Sequence, residues 1–236
     1  MIVLGLETSQ HELRIGIVEE SSVLGEQTWP AKGILAEIIL DSIDQILQKS
    51  DLRLSNLSAL AFSQGPGSFT GLRVGLATLK GLAWSHKIPL LAVPTFEVLA
   101  YQLGGREKQV AVLALARGST FLGGVYAYQD DWPRLQGELF VTEVDTLNEK
   151  TPPSATVLIL GPLADPGSLK KGLPGRQILI NNEITIPRGV SVAKLGLERL
   201  SQNKTADPQS VEPIYLQKAV FRSKVRNERI ENPPHA

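Results

Sequence analysis

Apolar residues follow two different rhythms in the first hundred positions. Ile2 to Leu6 is a continuous apolar run with β-branched members, the pattern of a buried strand. It ends in the polar turn Glu7-Thr8-Ser9-Gln10. Leu13, Ile15 and Ile17 then alternate with Arg14, Gly16 and Val18, which predicts a second strand pairing back on the first. Ser21-Ser22 make another turn, and Val23 to Trp29 reads as a third strand. Pro30 to Gly33 breaks the pattern. Leu35, Ile38, Ile39, Ser42, Ile43, Ile46 and Leu47 next recur at helical spacing, with Ile34 and Leu40 off that stripe. Ala59 to Ser63 and Pro89 to Val93 read as a fourth and a fifth strand. A helix opened by Pro94-Thr95 runs through Phe96, Leu99 and Ala100 and ends at Gly104-Gly105. This β-β-β-α-β-α-β-α order predicts an antiparallel start followed by parallel crossovers.

The remainder repeats the theme loosely. Val110 to Leu115, Phe121 to Tyr128 and Glu138 to Val144 read as strands. Thr146 to Lys150 reads as a short linker or helix. Val157 to Leu160 and Ile178 to Ile180 are further short strands, Ala193 to Leu200 a helix, and Pro213 to Gln217 a last extended piece. Asp165 to Gly175 is rich in Gly and Pro and predicts a loop with at most one helical turn. A duplicated, two-lobed arrangement follows, with a first lobe over residues 1–105, a second over 106–222, and a basic tail over 223–236 expected to be disordered.

The chain is organised around the stretch from Leu60 to Leu82. A short apolar run meets the turn Gln64-Gly65-Pro66-Gly67-Ser68, and a long helix begins near Phe69 or Thr70. Strand, glycine turn, helix is the order that aims backbone N–H groups at an anion or at another backbone. Gly65 and Gly67 permit close approach, Pro66 fixes φ between them, and Ser68 or Thr70 can cap the helix. Leu72, Leu76, Leu79 and Ala83 form one face of that helix; Gly71, Gly75 and Thr78 form a second, small-residue face. A helix apolar on most sides is buried on most sides. One face packs on the sheet, and the other needs either a second helix of its own domain or a partner chain.

Composition narrows the classes. The 236 residues carry 24 basic and 24 acidic side chains, so no global field draws the chain to nucleic acid or an anionic membrane. A local excess of Lys218, Arg222, Lys224, Arg226 and Arg229 over Glu228 marks the tail. With no cysteine there are no disulfides, thiol nucleophiles or cysteine-bound metals. No basic n-region precedes the first apolar run, and no run is long enough to span a bilayer. A soluble, cytoplasmic protein is expected.

Candidate chemistry is sparse. Glu7-Thr8-Ser9, between two antiparallel strands, can hold a metal-bound nucleotide phosphate, or be an ordinary polar hairpin. A phosphotransferase also wants a second acid at the corresponding turn of the second lobe. That turn, Ala116-Arg117-Gly118-Ser119-Thr120, holds no carboxylate. The Gly65 to Gly75 turn lacks the lysine of a Walker loop and the spacing of a Rossmann fingerprint. His11, His86 and His235 fall in no metal-binding frame, and no G-x-S-x-G elbow appears.

Gly65, Pro66, Gly67, Ser68, Phe69, Thr70, Gly71, Leu72, Arg73, Val74 and Gly75 together resemble the signature G-P-G-S-F-T-G-L-R-[IV]-G of the TsaB (YeaZ-like) family. Thr8-Ser9 and Pro94-Thr95-Phe96-Glu97 support the match, as do Gly124-Val125-Tyr126-Ala127 and Pro213-Ile214-Tyr215-Leu216. The resemblance implies an α/β, two-lobed actin/Hsp70/sugar-kinase-like fold (ribonuclease H-like, duplicated) with mixed sheets. It implies a non-catalytic scaffold that binds TsaD. With the ATPase TsaE, that complex transfers a threonylcarbamoyl group to N6 of adenosine 37 in tRNAs reading ANN codons. ATP and magnesium would belong to the partner complex, and tRNA would be met only through it. The implied pairing surface is the helix pair Ile34 to Leu47 and Thr70 to Trp84. Its candidate contact residues are Leu35, Ile38, Ile39, Ser42, Ile46, Gly71, Leu72, Gly75, Leu76, Thr78 and Leu79. The same helices would support a homodimer when TsaD is missing. Glu7 stands where family members often carry aspartate, Leu115-Ala116-Arg117 where they often carry D-A-R, and no histidine lies around Lys32. The other readings are a small-molecule kinase of the same fold with a degenerate phosphate site at Glu7, Thr8 and Ser9, and a peptidase, for which neither metal ligands nor a nucleophile are present.

Overall fold

A computed structural model describes residues 1–105, 107–161, 166–180 and 183–215. The first sheet has the order β3-β2-β1-β4-β5, built from β1 (Ile2–Glu7), β2 (Glu12–Glu19), β3 (Ser22–Pro30), β4 (Ala59–Gly65) and β5 (Leu90–Pro94). The first three strands form an antiparallel meander, and β4 and β5 join in parallel through the crossover helices α1 (Leu35–Lys49) and α2 (Phe69–His86). This is the predicted order, because the period changes from 2 to 3.6 where the turn residues fall. α3 (Thr95–Leu103) leads to the second sheet. That sheet has the order β11-β10-β6-β7-β8, with β9 also paired to β7. Its strands are β6 (Gln109–Arg117), β7 (Thr120–Gln129), β8 (Trp132–Leu135), β9 (Phe140–Glu143), β10 (Thr156–Leu160) and β11 (Ile178–Leu179). The helices α4 (Leu147–Lys150), α5 (Pro166–Gly172) and α6 (Gly189–Ser201) complete the chain.

One face of the first sheet presents Leu4, Leu6, Leu13, Ile15, Ile17, Leu60 and Phe62. These pack against Ile39, Ile43, Ile46 and Leu47 of α1 and Leu76, Leu79 and Ala83 of α2. Each such side chain contributes about 1.5–3 kcal/mol when fully buried. The opposite face presents Val3, Val18, Ala59, Ala61, Leu91 and Val93, and α6 covers it with Val190, Val192, Ala193 and Leu195. That contact is made at backbone distance. Gly5 on β1 and Gly16 on β2 are cross-strand partners. A Cβ on Gly5 would lie 2.3 Å from Ala193 N and from Gly189 O, and one on Gly16 would lie 2.2 Å from Val190 N. α6 lies in the groove that these glycines leave.

Packing therefore crosses the sequence division expected near residue 105. α6 comes from the second half of the chain and covers the first sheet. α3 comes from the first half, and its Phe96, Leu99 and Ala100 share a core with Val110, Val112, Tyr126 and Leu158 of the second sheet. Three further differences have local causes. β8 is absent from the sequence reading because Pro133 demotes the run. It forms at a sheet edge behind a tight turn in which Asp130 and Asp131 both take positive φ, 50° and 65°. α5 makes two turns where at most one was expected, with Leu169 fully buried in the second core. α6 begins four residues before Ala193, at Gly189, whose lack of a side chain admits Ile15 and Gly16. The tail from Lys218 to Arg229, the boundary at 222–223, Leu216 and Asp165 lie outside the described residues.

A methyl group on Gly16 has no space between β2 and α6. Gly16→Ala is expected to lower the unfolding free energy by about 2–3 kcal/mol, read as a shifted urea midpoint. An unchanged midpoint would mean that α6 does not sit there.

Candidate functional site

The β1–β2 turn and the glycine loop meet at the end of the first sheet. Glu7, Thr8 and Ser9 are all buried. The loop is pressed onto them. Ser68 N donates to Ser9 O at 2.7 Å. A Cβ on Gly67 would lie 2.5 Å from Ser9 Cβ, one on Gly71 2.1 Å from Thr8 O, and one on Gly75 2.4 Å from Thr8 Oγ1. Of the two targets open to the loop, anion or backbone, the backbone takes the contact. The glycines serve the approach of α2 to the turn, and the space a phosphate would need beside Thr8 is filled by the helix. Ser68 caps α2, its Oγ accepting from Gly71 N at 3.2 Å. Thr70 is exposed.

The far side of the loop holds the end of the described chain. Ile214 N donates to Gln64 O and Gln64 Nε2 to Glu212 O, both at 2.8 Å. Gly65 N donates to Thr95 Oγ1 at 3.1 Å, and Gly65 takes φ +109° with Ile214 O against it. The Arg73 guanidinium lies 3.8 Å from the Phe69 ring centroid, and its Nε donates to Tyr215 Oη at 2.9 Å. The Phe69 and Tyr215 rings are 5.2 Å apart. Such a cation over an aromatic face contributes about 0.5–1 kcal/mol where exposed. The signature residues form an intramolecular clasp between the first turn and the segment 212–215. The position of Tyr215 in the Pro213 to Leu216 run was the available sequence signal for that role.

Burial is the dominant influence on Glu7 and raises its pKa above the ordinary 4.5; hydrogen bonding from Ser9 and Ser63 and the charge of Arg14 pull the other way. Its Oε1 accepts from Ser9 N at 2.5 Å, while Oε2 has no hydrogen-bond partner. Burial thus works against the charged form that a magnesium ligand needs. At the corresponding turn of the second lobe, Ser119 Oγ and Thr120 Oγ1 each donate to Glu143 of β9 at 2.6 Å, which holds that carboxylate below its ordinary range. Glu143 was not found from sequence, since 24 positions separate it from Ser119. It sets a negative charge on the hydroxyls that a phosphate would otherwise use. Among the described residues no group of three or more His, Asp or Glu side chains could hold a metal ion, and no helix is long and apolar enough to cross a membrane.

The helix pair divides its residues differently from the sequence reading. Ile39, Ser42 and Ile46 of α1 and Gly71, Leu72, Gly75, Leu76 and Leu79 of α2 are buried within the chain itself. Leu35, Ile38 and Thr78 are half-buried. The stripe common to Leu35 through Leu47 faces the sheet, so the residues left outside are the ones that fell off it. Ile34 is 43% exposed, Leu40 56% and Trp84 68%. On α2, Arg73, Ala77 and Gly81 are exposed along with Trp84. Glu37, Asp41 and Asp44 flank Leu40 on α1.

A family model described as "TsaD: tRNA N6-adenosine threonylcarbamoyltransferase" matches residues 31–158. The chain is 28% identical to the tRNA threonylcarbamoyladenosine biosynthesis protein TsaB of Bacillus subtilis over 235 residues, 95% of this chain and 97% of that one. It is 32% identical to the tRNA N6-adenosine threonylcarbamoyltransferase of Caldivirga maquilingensis over 155 residues, 58% of this chain and 45% of that one. The solved structure of YeaZ from Pseudomonas aeruginosa has the same fold, with a TM-score of 0.77 at 23% identity over 91% of this chain and 99% of that one.

Raising the pKa of a buried acid makes folding favour its protonated form. Stability from Glu7 is then greatest below pH 4.5 and falls as the pH climbs from there through the raised folded-state value. Glu7→Gln is expected to remove that slope and to stabilise the protein at neutral pH. Parallel wild-type and variant melting profiles across pH 4 to 8 would contradict this.

Proposed function

We propose, from the premise that this chain belongs to the TsaD family as a TsaB (YeaZ-like) member, that it is the non-catalytic partner of TsaD in tRNA N6-threonylcarbamoyladenosine synthesis. It acts in the cytoplasm, on adenosine 37 of tRNAs reading ANN codons, through the complex rather than by a centre of its own. The observation that carries this reading is the open side of α1 and α2, where Ile34, Leu40 and Trp84 remain exposed. TsaD is the occupant proposed, because the chain is related to its family over residues 31–158. Two related lobes can present like helix pairs to each other about a pseudo-twofold axis. Leu35, Ile38 and Thr78 border that surface, and the buried members of the pair act behind it by fixing the helices on the sheet. TsaE joins the pair, and its ATP and magnesium are held outside this chain. The filled phosphate turn at Glu7, Thr8 and Ser9 argues against the kinase alternative.

Light scattering on the pure chain, alone and mixed with TsaD from the same source, tests the pairing. A homodimer converting to a one-to-one heterodimer is the expected result. Trp84→Ala and Leu40→Arg alter exposed residues, so the fold should persist while TsaD binding weakens by about tenfold or more. Unchanged affinity in both variants would remove the helix face as the site. Gly75→Arg is expected to fail differently, by unseating α2 from Thr8 and lowering the melting temperature.

A further inference from the structure

Besides the residues it turns to the first sheet, α6 carries a stripe at helical spacing, Lys194, Leu197, Glu198 and Ser201, that lines a hollow of about 750 Å³. Tyr101 of α3, Trp132 and Arg134 of β8, and the turn residues Glu20, Ser21 and Asp130 share its lining. The hollow is remote from the candidate phosphate turn. Ile2 pairs with Glu19 and Glu7 with Arg14, so the Glu20 turn and the Glu7 turn lie at opposite ends of β1, roughly 17 Å apart at ~3.3 Å per residue. α6 also covers the face of the first sheet opposite to α1 and α2, so the hollow is distinct from the surface offered to TsaD.

The polar groups here fall into two sets. Arg134 Nη2 donates to Glu198 Oε1 at 2.6 Å, and Gln202 Nε2 donates to the same oxygen, so these three answer one another. Among the described residues, the side chains of Lys194, Glu20 and Asp130 make no ion pair or hydrogen bond, although charges of both signs line one hollow. Tyr101 Oη and Trp132 Nε1 also lack a partner among the described residues, and both reach solvent. Burial pushes the Tyr101 phenol up, so Oη keeps its proton at neutral pH and can donate. The two rings stack with centroids 5.3 Å apart and planes inclined by 17°. Packing against the core under α6 accounts for their apolar area, but not for the free donors and charges around it.

We propose that this hollow binds a small zwitterion with an aromatic body, of the class of an aromatic α-amino acid. Its carboxylate is taken by Lys194, its ammonium by Glu20 and Asp130, and its ring by Tyr101, Trp132 and Leu197. Lys194 alone would suit any anion, and the two acids alone any amine; a molecule with both charges uses all three. A phosphate ester is disfavoured, because Glu20, Asp130 and Glu198 outnumber Lys194 and Arg134. Rings pair edge to face or offset at about 4.5–7 Å, and ligand hollows of about 300–1,000 Å³ combine apolar walls with a few placed polar groups.

The test uses the full chain with L-phenylalanine as probe, read by calorimetry and thermal unfolding. Saturable binding at millimolar concentration or below is expected. N-acetylphenylalanine lacks the ammonium, phenylalanine methyl ester the carboxylate, and alanine the ring; each should bind about tenfold more weakly. Lys194→Met should lower phenylalanine affinity to that of the ester. Glu20→Gln with Asp130→Asn should bring it down to that of the N-acetyl form. Both positions have φ of 50°, and asparagine tolerates that backbone well. None of these side chains has a partner to lose, so the variants should melt with the wild type. Trp84→Ala, on the face offered to TsaD, should bind phenylalanine normally, which separates this site from that pairing. The proposal is overturned if phenylalanine shows no saturable effect at millimolar concentration, or if alanine binds equally well. It is equally overturned if Lys194→Met and the paired acid variant both bind like wild type.

Discussion

Two glycines placed opposite each other on β1 and β2 let a helix approach the first sheet at backbone distance. Without side chains at Gly5 and Gly16, the backbone of α6 rests on the backbone of the first sheet, with Gly189 completing the fit from the helix side. On the opposite face, Gly71 and Gly75 bring α2 against Thr8 in the same way. The first sheet is gripped from both sides near the ends of its central strands. Those strand ends carry Glu7, Thr8 and Ser9, so the geometry of the candidate site follows from steric fit before any question of chemistry.

That grip decides how the glycine loop is used. Glycine-rich turns before a helix serve anion binding only if the N–H groups remain open. Here Ser68 N points at Ser9 O, and the small residues of α2 are consumed in contact with Thr8. The second lobe reaches a similar end by another route, since Ser119 and Thr120 spend their hydroxyls on Glu143. A phosphate would meet backbone at the first turn and a carboxylate at the second. Near the first turn, Glu7 Oε2, Ser9 Oγ and Arg14 Nη1 are buried without a hydrogen-bond partner.

The strands and helices of the first lobe were legible because each has a strong period and clean turn residues. Lobe membership was not. Nothing within Ala193 to Leu200 says which sheet the helix will cover; the information lies in Gly5 and Gly16, far away in sequence and readable only once paired. The same holds for α2. Its small-residue stripe was compatible with a partner helix or with an internal neighbour, and the neighbour at Gly71 and Gly75 is a turn on β1. Helical spacing picked out one stripe of α1 and the sequence reading offered it to a partner, but most of that stripe is buried within the chain, and Ile34 and Leu40, which broke the spacing, are left on the surface.

The seating of α6 has a consequence for synthesis. During translation, residues 1–103 emerge with every strand of the first sheet and with α1, α2 and α3. The groove over Gly5 and Gly16, however, stays open until Gly189–Ser201 has left the ribosome. The clasp of Phe69 and Arg73 on Tyr215 closes later still. Contacts of such long sequence separation form slowly, and exposed apolar sheet is prone to aggregate. The amino-terminal lobe is therefore a poor candidate for expression as an isolated fragment. Truncation before Gly189 would leave Val3, Ala59, Ala61, Leu91 and Val93 as an uncovered sheet face, the surface on which nascent-chain chaperones act.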